Sequence, residues 1–240
     1  MRADVYAVVD LPYAAVSTAL AGPAHWCEVL ILHLNTEFCA LVSGAGGNVL
    51  DTSIGRRYDQ AIQDAYRVEF DLHSAAAQPD YFDVRLDAKS GPGGTNGYHI
   101  RIEALANADG KTFVHVENSF GYDLFAWAAI KAYLMTAGRD KVGFSVADAA
   151  APAQAGAPAQ TVYIGGVRGL VERNAMRYFI AVQAYLDALA LPPAEQFERR
   201  LHRWFADAER YPRQLHEIDE ATYLEMKRME AARQRRPDAP

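Results

Sequence analysis

Apolar and polar positions change period several times along the chain, and each change marks a boundary. Val5, Ala7 and Val9 alternate with Tyr6, Val8 and Asp10, which predicts a short strand largely apolar on both sides. Leu11-Pro12 stops it. Tyr13, Val16, Ala19 and Leu20 then recur at helical spacing as far as Gly22-Pro23, with Pro12 where a first helical turn tolerates it. A second short helix over about residues 23–34 carries Trp26, Leu30 and Leu34 on one stripe.

From Glu37 to about Tyr122 the pattern predicts strand after strand. Segments 38–42 and 49–58 flank the hairpin-like loop Gly44-Ala45-Gly46-Gly47-Asn48. Tyr66, Val68, Phe70 and Leu72 alternate with charged neighbours and His73, and Phe82, Val84 and Leu86 do the same. Tyr98, Ile100 and Ile102 oppose His99, Arg101 and Glu103; after the turn Asn107-Ala108-Asp109-Gly110, Val114 and Val116 share a face against His115 and Glu117. Short segments with one apolar and one polar face describe an antiparallel sheet covered on one side.

Helical spacing returns at 124–137, through Leu124, Trp127, Ile130 and Leu134. A strand is expected at 142–146, a flexible Ala/Pro/Gly-rich loop at 147–160, and the other arm of that hairpin at 161–164. A long helix over about 169–189 places Val171, Met176, Phe179, Val182 and Leu186 near one stripe, and Leu191-Pro192-Pro193 ends it. Phe197, Leu201, Trp204 and Phe205 mark a further amphipathic helix; Tyr223, Met226 and Met229 mark another beyond Pro212.

This order resembles the START-like (Bet v 1-like, SRPBCC) helix-grip superfamily. The residues that carry the resemblance are Val5–Asp10 running into Leu11-Pro12-Tyr13-Ala14-Ala15-Val16, then Pro23-Ala24-His25-Trp26, and Arg168–Leu189. The resemblance covers roughly residues 3–190. It implies an α+β fold in which a curved antiparallel sheet wraps a long C-terminal helix, with a lipid- or small-molecule-binding cavity between them and, in some relatives, cyclase or hydrolase chemistry. Two features depart from the pattern: the helix and hairpin at about 124–164, read as an insertion, and the helices of 193–240, read as an extension packed on the 1–192 domain.

Composition narrows the classes. Half of the 240 residues are apolar and 22% are charged, which suits a folded globular chain. With 30 acidic against 24 basic residues, net −6, a general nucleic-acid binder is not expected. The charge is uneven: residues 161–240 hold 13 basic and 12 acidic residues, so the acidic excess lies in the first 160. No apolar run reaches the ~20 residues of a membrane helix; Val29–Leu34 is broken by His33. The opening strand leaves two compartments open: cytoplasmic, or periplasmic or secreted if a signal segment has been removed.

The candidate chemistry is sparse. Cys27, His33 and Cys39 suggest a thiolate and its base, but Cys27 and His33 are six apart, which is not a contact spacing on a helix. A structural role, or a Cys27–Cys39 disulfide if the compartment is oxidising, is the stronger reading. His73, His99 and His115 come from three strands without any metal-ligand spacing, so no metal is expected. Gly110-Lys111-Thr112 has Leu105 where a phosphate loop needs glycine, so no nucleotide or other cofactor is expected.

Arg168, Glu172, Arg173 and Arg177 head the long helix, as an anion clamp or as an ion-pair network with Glu172, Asp140 or Asp123; the network is preferred. Trp26, Tyr98, Tyr122, Trp127 and Tyr178 belong to an aromatic set around the expected interior, and with Arg173 and Arg177 they form the candidate ligand site. No residue is assigned a catalytic role. Lys227, Arg228, Arg233, Arg235 and Arg236 beside Tyr223, Met226 and Met229 compose a basic amphipathic helix, which leaves peripheral membrane contact open. The expected function is therefore binding of a hydrophobic small molecule or lipid, with an enzyme on the same scaffold or an interaction protein using the helical tail as alternatives.

Overall fold

The computed structural model describes residues 1–55, 60–74, 78–136, 138–147 and 161–235. The end of the 49–58 strand, nearly all of the 147–160 loop and Arg236 lie outside the described residues.

β1 (Arg2–Val9) leads into α1 (Tyr13–Leu20), a short 3-10 turn at Pro23–His25 and α2 (Trp26–Leu30). Six strands follow in a meander: β2 (Thr36–Gly44), β3 (Gly47–Ile54), β4 (Tyr66–Ser74), β5 (Tyr81–Ser90), β6 (Thr95–Ala106) and β7 (Thr112–Tyr122). Every pairing is antiparallel, in the order β1-β7-β6-β5-β4-β3-β2, so β1 joins the far edge of the meander. The period-two alternation appears as burial. Val68, Phe70 and Leu72 of β4, Val84 and Leu86 of β5, and Ile100 and Ile102 of β6 all enter the core, while their neighbours face water or pair with one another.

After β7 come α3 (Leu124–Met135), the 22-residue α4 (Gly166–Asp187), α5 (Pro193–Glu209), α6 (Pro212–Leu215) and α7 (Glu220–Gln234). α4 packs against β1 and β7 on one side and along α5 on another. Strand, paired short helices, antiparallel meander and gripped helix make this an α+β helix-grip fold with added C-terminal helices.

The expected strand pair at 142–146 and 161–164 reduces to one bridge, Val146 with Tyr163. The reason is competition for donors. The Glu172 carboxylate on α4 accepts from the backbone N–H groups of Phe144 (2.7 Å) and Ser145 (2.9 Å), and the Ser145 N–H is the donor that would have continued the pairing beyond Val146. This segment also lies so close to α4 that a Cβ on Gly143 would sit 2.8 Å from the Gly169 Cα.

The tail differs more from expectation. Lys227 has no exposed side-chain surface: its Nζ donates to the carbonyls of His33 (2.7 Å) and Thr36 (3.0 Å) and to Glu230 (2.7 Å). Arg233 donates to the Glu37 carbonyl, and the Gln234 side chain accepts from the Cys39 N–H. α7 thus occupies free backbone groups at the start of β2, at Thr36, Glu37 and Cys39, and covers that end of the edge strand opposite β1. Of the described cations Lys227 is buried, Arg233 bonds a β2 carbonyl and Arg228 pairs with Glu198 at 2.6 Å, while Arg235 stays exposed and bonds the Ala231 carbonyl of its own helix. Tyr223 and Met226 are core; only Met229 of that set is exposed.

Candidate functional site

The concave face of the sheet looks onto α4, and aromatic side chains from both meet there. Tyr98 enters at the β6 bulge between Asn96 and His99, stacks on Phe120 with ring centroids 5.3 Å apart, and meets Phe70 edge-on. Its hydroxyl is 2.7 Å from the Thr95 Oγ1. The ring lies against the backbone of Gly91, where a Cβ would fall 2.3 Å from it. Tyr122 joins this cluster with Ile130 and Leu170.

From α4, Leu170, Asn174 and Tyr178 share one face at four-residue spacing, each half-buried. Burial pushes the Tyr178 phenol well above its ordinary value, with the Tyr98 phenol adding to the shift and the Arg177 charge opposing it. Tyr178 therefore stays neutral at physiological pH and can donate. Its ring packs on His33, 4.9 Å between centroids.

His33 is buried at the end of the α2 segment. Burial, then the charges of Arg177 and Lys227, push its imidazole well below its ordinary value, so it is neutral near pH 7. Its Nδ1 accepts from the Asn35 N–H, which leaves the proton on Nε2. That Nε2–H has no partner among the described residues.

Other buried donors in this region share that condition. Asn118 lies on β7 in the inward register of Val114, Val116 and Phe120, and its Nδ2 is unpartnered. The Nε atoms of Arg173 and Arg177 are also unpartnered. Arg177 donates to Glu217 at 2.8 Å; Arg173 donates to the Val142 carbonyl, and burial together with the Arg177 charge pushes its guanidinium down. Lys141 shares Glu217 at 3.2 Å, so two cations pair with one carboxylate.

Of the aromatic and arginine residues expected to line the site, Tyr98, Tyr122, Tyr178, Arg173 and Arg177 border this region. Trp26 does not: it is fully buried with its Nε1–H bonded to the Leu20 carbonyl at 3.1 Å, as an anchor between α1 and α2. Trp127 lies 42% exposed on α3 beneath the Lys131 ammonium. The arginine network takes one expected acid and one that was not expected: Arg168 pairs with Glu172, and Arg177 with Glu217. His33 and Asn118 were absent from the expected site, although a lone Asn inside an apolar period-two register is a readable signal.

The three strand histidines stay apart. His99 bonds Asp87 at 2.6 Å, and His115 lies between Asp4 and Glu103 at 2.8 Å each, on the convex face. Among the described residues no group of three or more His, Cys, Asp or Glu forms a metal-binding cluster. The sulfurs of Cys27 and Cys39 are bonded, tying α2 to β2. No helix among the described residues is long and apolar enough to cross a membrane.

No family model and no curated protein matches the chain. Among solved structures, Ara h 8.0201 aligns over 78% of this chain and 98% of its own, at 14% identity and a TM-score of 0.44. A norcoclaurine synthase mutant from Thalictrum flavum covers 58% of this chain and 86% of its own at 13% identity and a TM-score of 0.40. An uncharacterised protein from Bacillus thuringiensis covers 57% and 89% at 11% identity and 0.37. At these scores they add nothing to the architecture read from the strand order.

Proposed function

We infer that the protein binds an apolar small molecule or lipid between the concave face of the sheet and α4, with Tyr98, Tyr122 and Tyr178 against its apolar body. The observation that carries this is the set of buried, unpartnered donors bordering that interior: Asn118 Nδ2, His33 Nε2 and the Nε of Arg177. All are donors, and so is the neutral Tyr178 hydroxyl. They suit a ligand bearing a carbonyl, carboxylate or other acceptor oxygen at its polar end.

The same chemistry favours binding over proton abstraction. A general base needs a free lone pair, and the one on His33 is taken by the Asn35 N–H. Arg177 and Lys141 share the one Glu217, and the buried Arg173 beside Arg177 donates to a carbonyl, which favours an acidic or strongly dipolar group over a cation near the polar end.

Organic extraction of the purified protein followed by mass spectrometry tests the reading. A defined molecule with an apolar body and an acceptor oxygen is expected, and its yield should fall in Tyr178→Phe and Asn118→Leu while the fold is kept. Absence of any co-purifying molecule, together with unchanged dye binding in both variants, would overturn it.

A further inference from the structure

Away from that interior, a groove of about 860 Å³ opens among α1, α2, the C-terminal end of α4, α5 and α7. This volume falls within the ~300–1,000 Å³ typical of small-molecule sites. Two of its walls, α5 and α7, are helices beyond the gripped one, so the groove exists because of the added layer. Its apolar surface comes from Ala15, Ala19, Ile31, Leu189 and Phe197.

One charged group reaches into it from a buried position. Arg200 is 4% exposed and lies over the Tyr185 ring, 4.2 Å from its centroid. One terminal nitrogen donates to Gln196 Oε1 at 2.6 Å, the other to Glu28 Oε2, and its Nε–H has no partner among the described residues. The ion pair is asymmetric: the arginine is buried, whereas the Glu28 side chain is 47% exposed and shared with His25 at 3.3 Å. A carboxylate already half in water gives up little by turning outward, but a buried guanidinium needs an anion in its place. With Arg200 and Arg235 against Glu28, the charged lining carries one excess positive charge.

The geometry points to a second ligand site in this groove, taking an amphiphilic monocarboxylate. Its carboxylate replaces Glu28 on Arg200, and its apolar body lies along Ile31, Leu189 and Phe197. The stack on Tyr185 holds the guanidinium in place during that exchange. This site is independent of the sheet–α4 interior and does not require that reading to hold.

The test uses the full chain and [1-13C]decanoate followed by NMR, with decanol and decyltrimethylammonium as uncharged and cationic controls. Decanoate is expected to bind and to show intermolecular NOEs from its methylenes to the Phe197 ring, and neither control should do so. Glu28→Gln removes the competing carboxylate and should tighten binding roughly tenfold, while Arg200→Met should weaken it by roughly tenfold or more, the usual worth of a hydrogen bond to a charged group. If Arg200→Met does not fold, Glu28→Gln and the NOEs still decide. NOEs to Tyr98 or Tyr178 in place of Phe197, no binding, or unchanged affinity in Glu28→Gln would each overturn the proposal.

Discussion

Replacing Lys227 by Met tests whether α7 is held to the sheet by a buried charge. The side-chain length is nearly kept, but the ammonium that bonds Glu230 and the carbonyls of His33 and Thr36 is removed. Breaking a buried ion pair by removing one partner costs about 3–5 kcal/mol, because the remaining charge is left uncompensated. Arg233, the other cation acting on Glu230, offsets part of that, while each stranded carbonyl adds about 1–3 kcal/mol. These terms overlap, so a net loss of about 3–5 kcal/mol is expected, or roughly 6–20 °C in Tm for a chain of this size. Urea denaturation followed by tryptophan fluorescence measures it, with Trp204, stacked 4.8 Å from the Tyr223 ring of α7, as the local reporter.

The double variant Lys227→Met/Glu230→Leu should recover about 1–3 kcal/mol, since the stranded carboxylate is gone and only the carbonyls remain unpaired. Burial raises Glu230 above its ordinary range, so the single variant should lose less at pH 5, where the carboxyl can take up a proton, than at pH 8. A single-variant loss below about 1 kcal/mol, or a double variant less stable than the single, would refute the reasoning.

Other outcomes follow from the same structure. Burial, with the Glu230 charge, raises Glu37 to about 7 from 4.5, against the opposing charges of Arg233 and Lys227. The folded chain therefore holds this proton more tightly than the unfolded one, and stability should fall as pH rises from 4.5 through about 7. Glu37→Gln should flatten that slope, as denaturation midpoints at pH 5 and pH 8 would show. Cys27 and Cys39 are 12 residues apart, and opening a loop of that size by Cys27→Ser/Cys39→Ser should cost about 3 kcal/mol; equal urea midpoints with and without reductant would count against the bond. Gly91→Ala forces the new methyl into the Tyr98 ring and should cost about 1–3 kcal/mol, with a changed near-UV circular dichroism signal from the displaced tyrosine. The Gly91 backbone is extended, with φ −156°, so that loss reports packing and not backbone strain.

The strands were legible because a half-buried strand writes its two faces into alternate residues: Val68, Phe70 and Leu72, or Ile100 and Ile102, needed no partner to identify them. The placement of the candidate site residues was legible only in part. Tyr98, Tyr122 and Tyr178 could be named as aromatics on elements around an interior. Trp26 and Trp127, chosen on the same grounds, occupy the core and the surface, because residue type does not specify which side of a helix finds a neighbour. His33 acquires its character first from burial and then from the charges of Arg177 and Lys227, more than 140 residues away along the chain, and nothing local announces that.

The sequence by itself determined the antiparallel meander, the long helix and the breaks between them, since period, proline and turn residues act over a few positions. Only the tertiary structure decided that Lys227 is a buried clamp and that Arg200 is a buried cation over Tyr185. The physical reason is the same in both cases. A charged side chain is written identically whether it faces water or the core, and its burial depends on carbonyls, carboxylates and rings that distant elements bring to it.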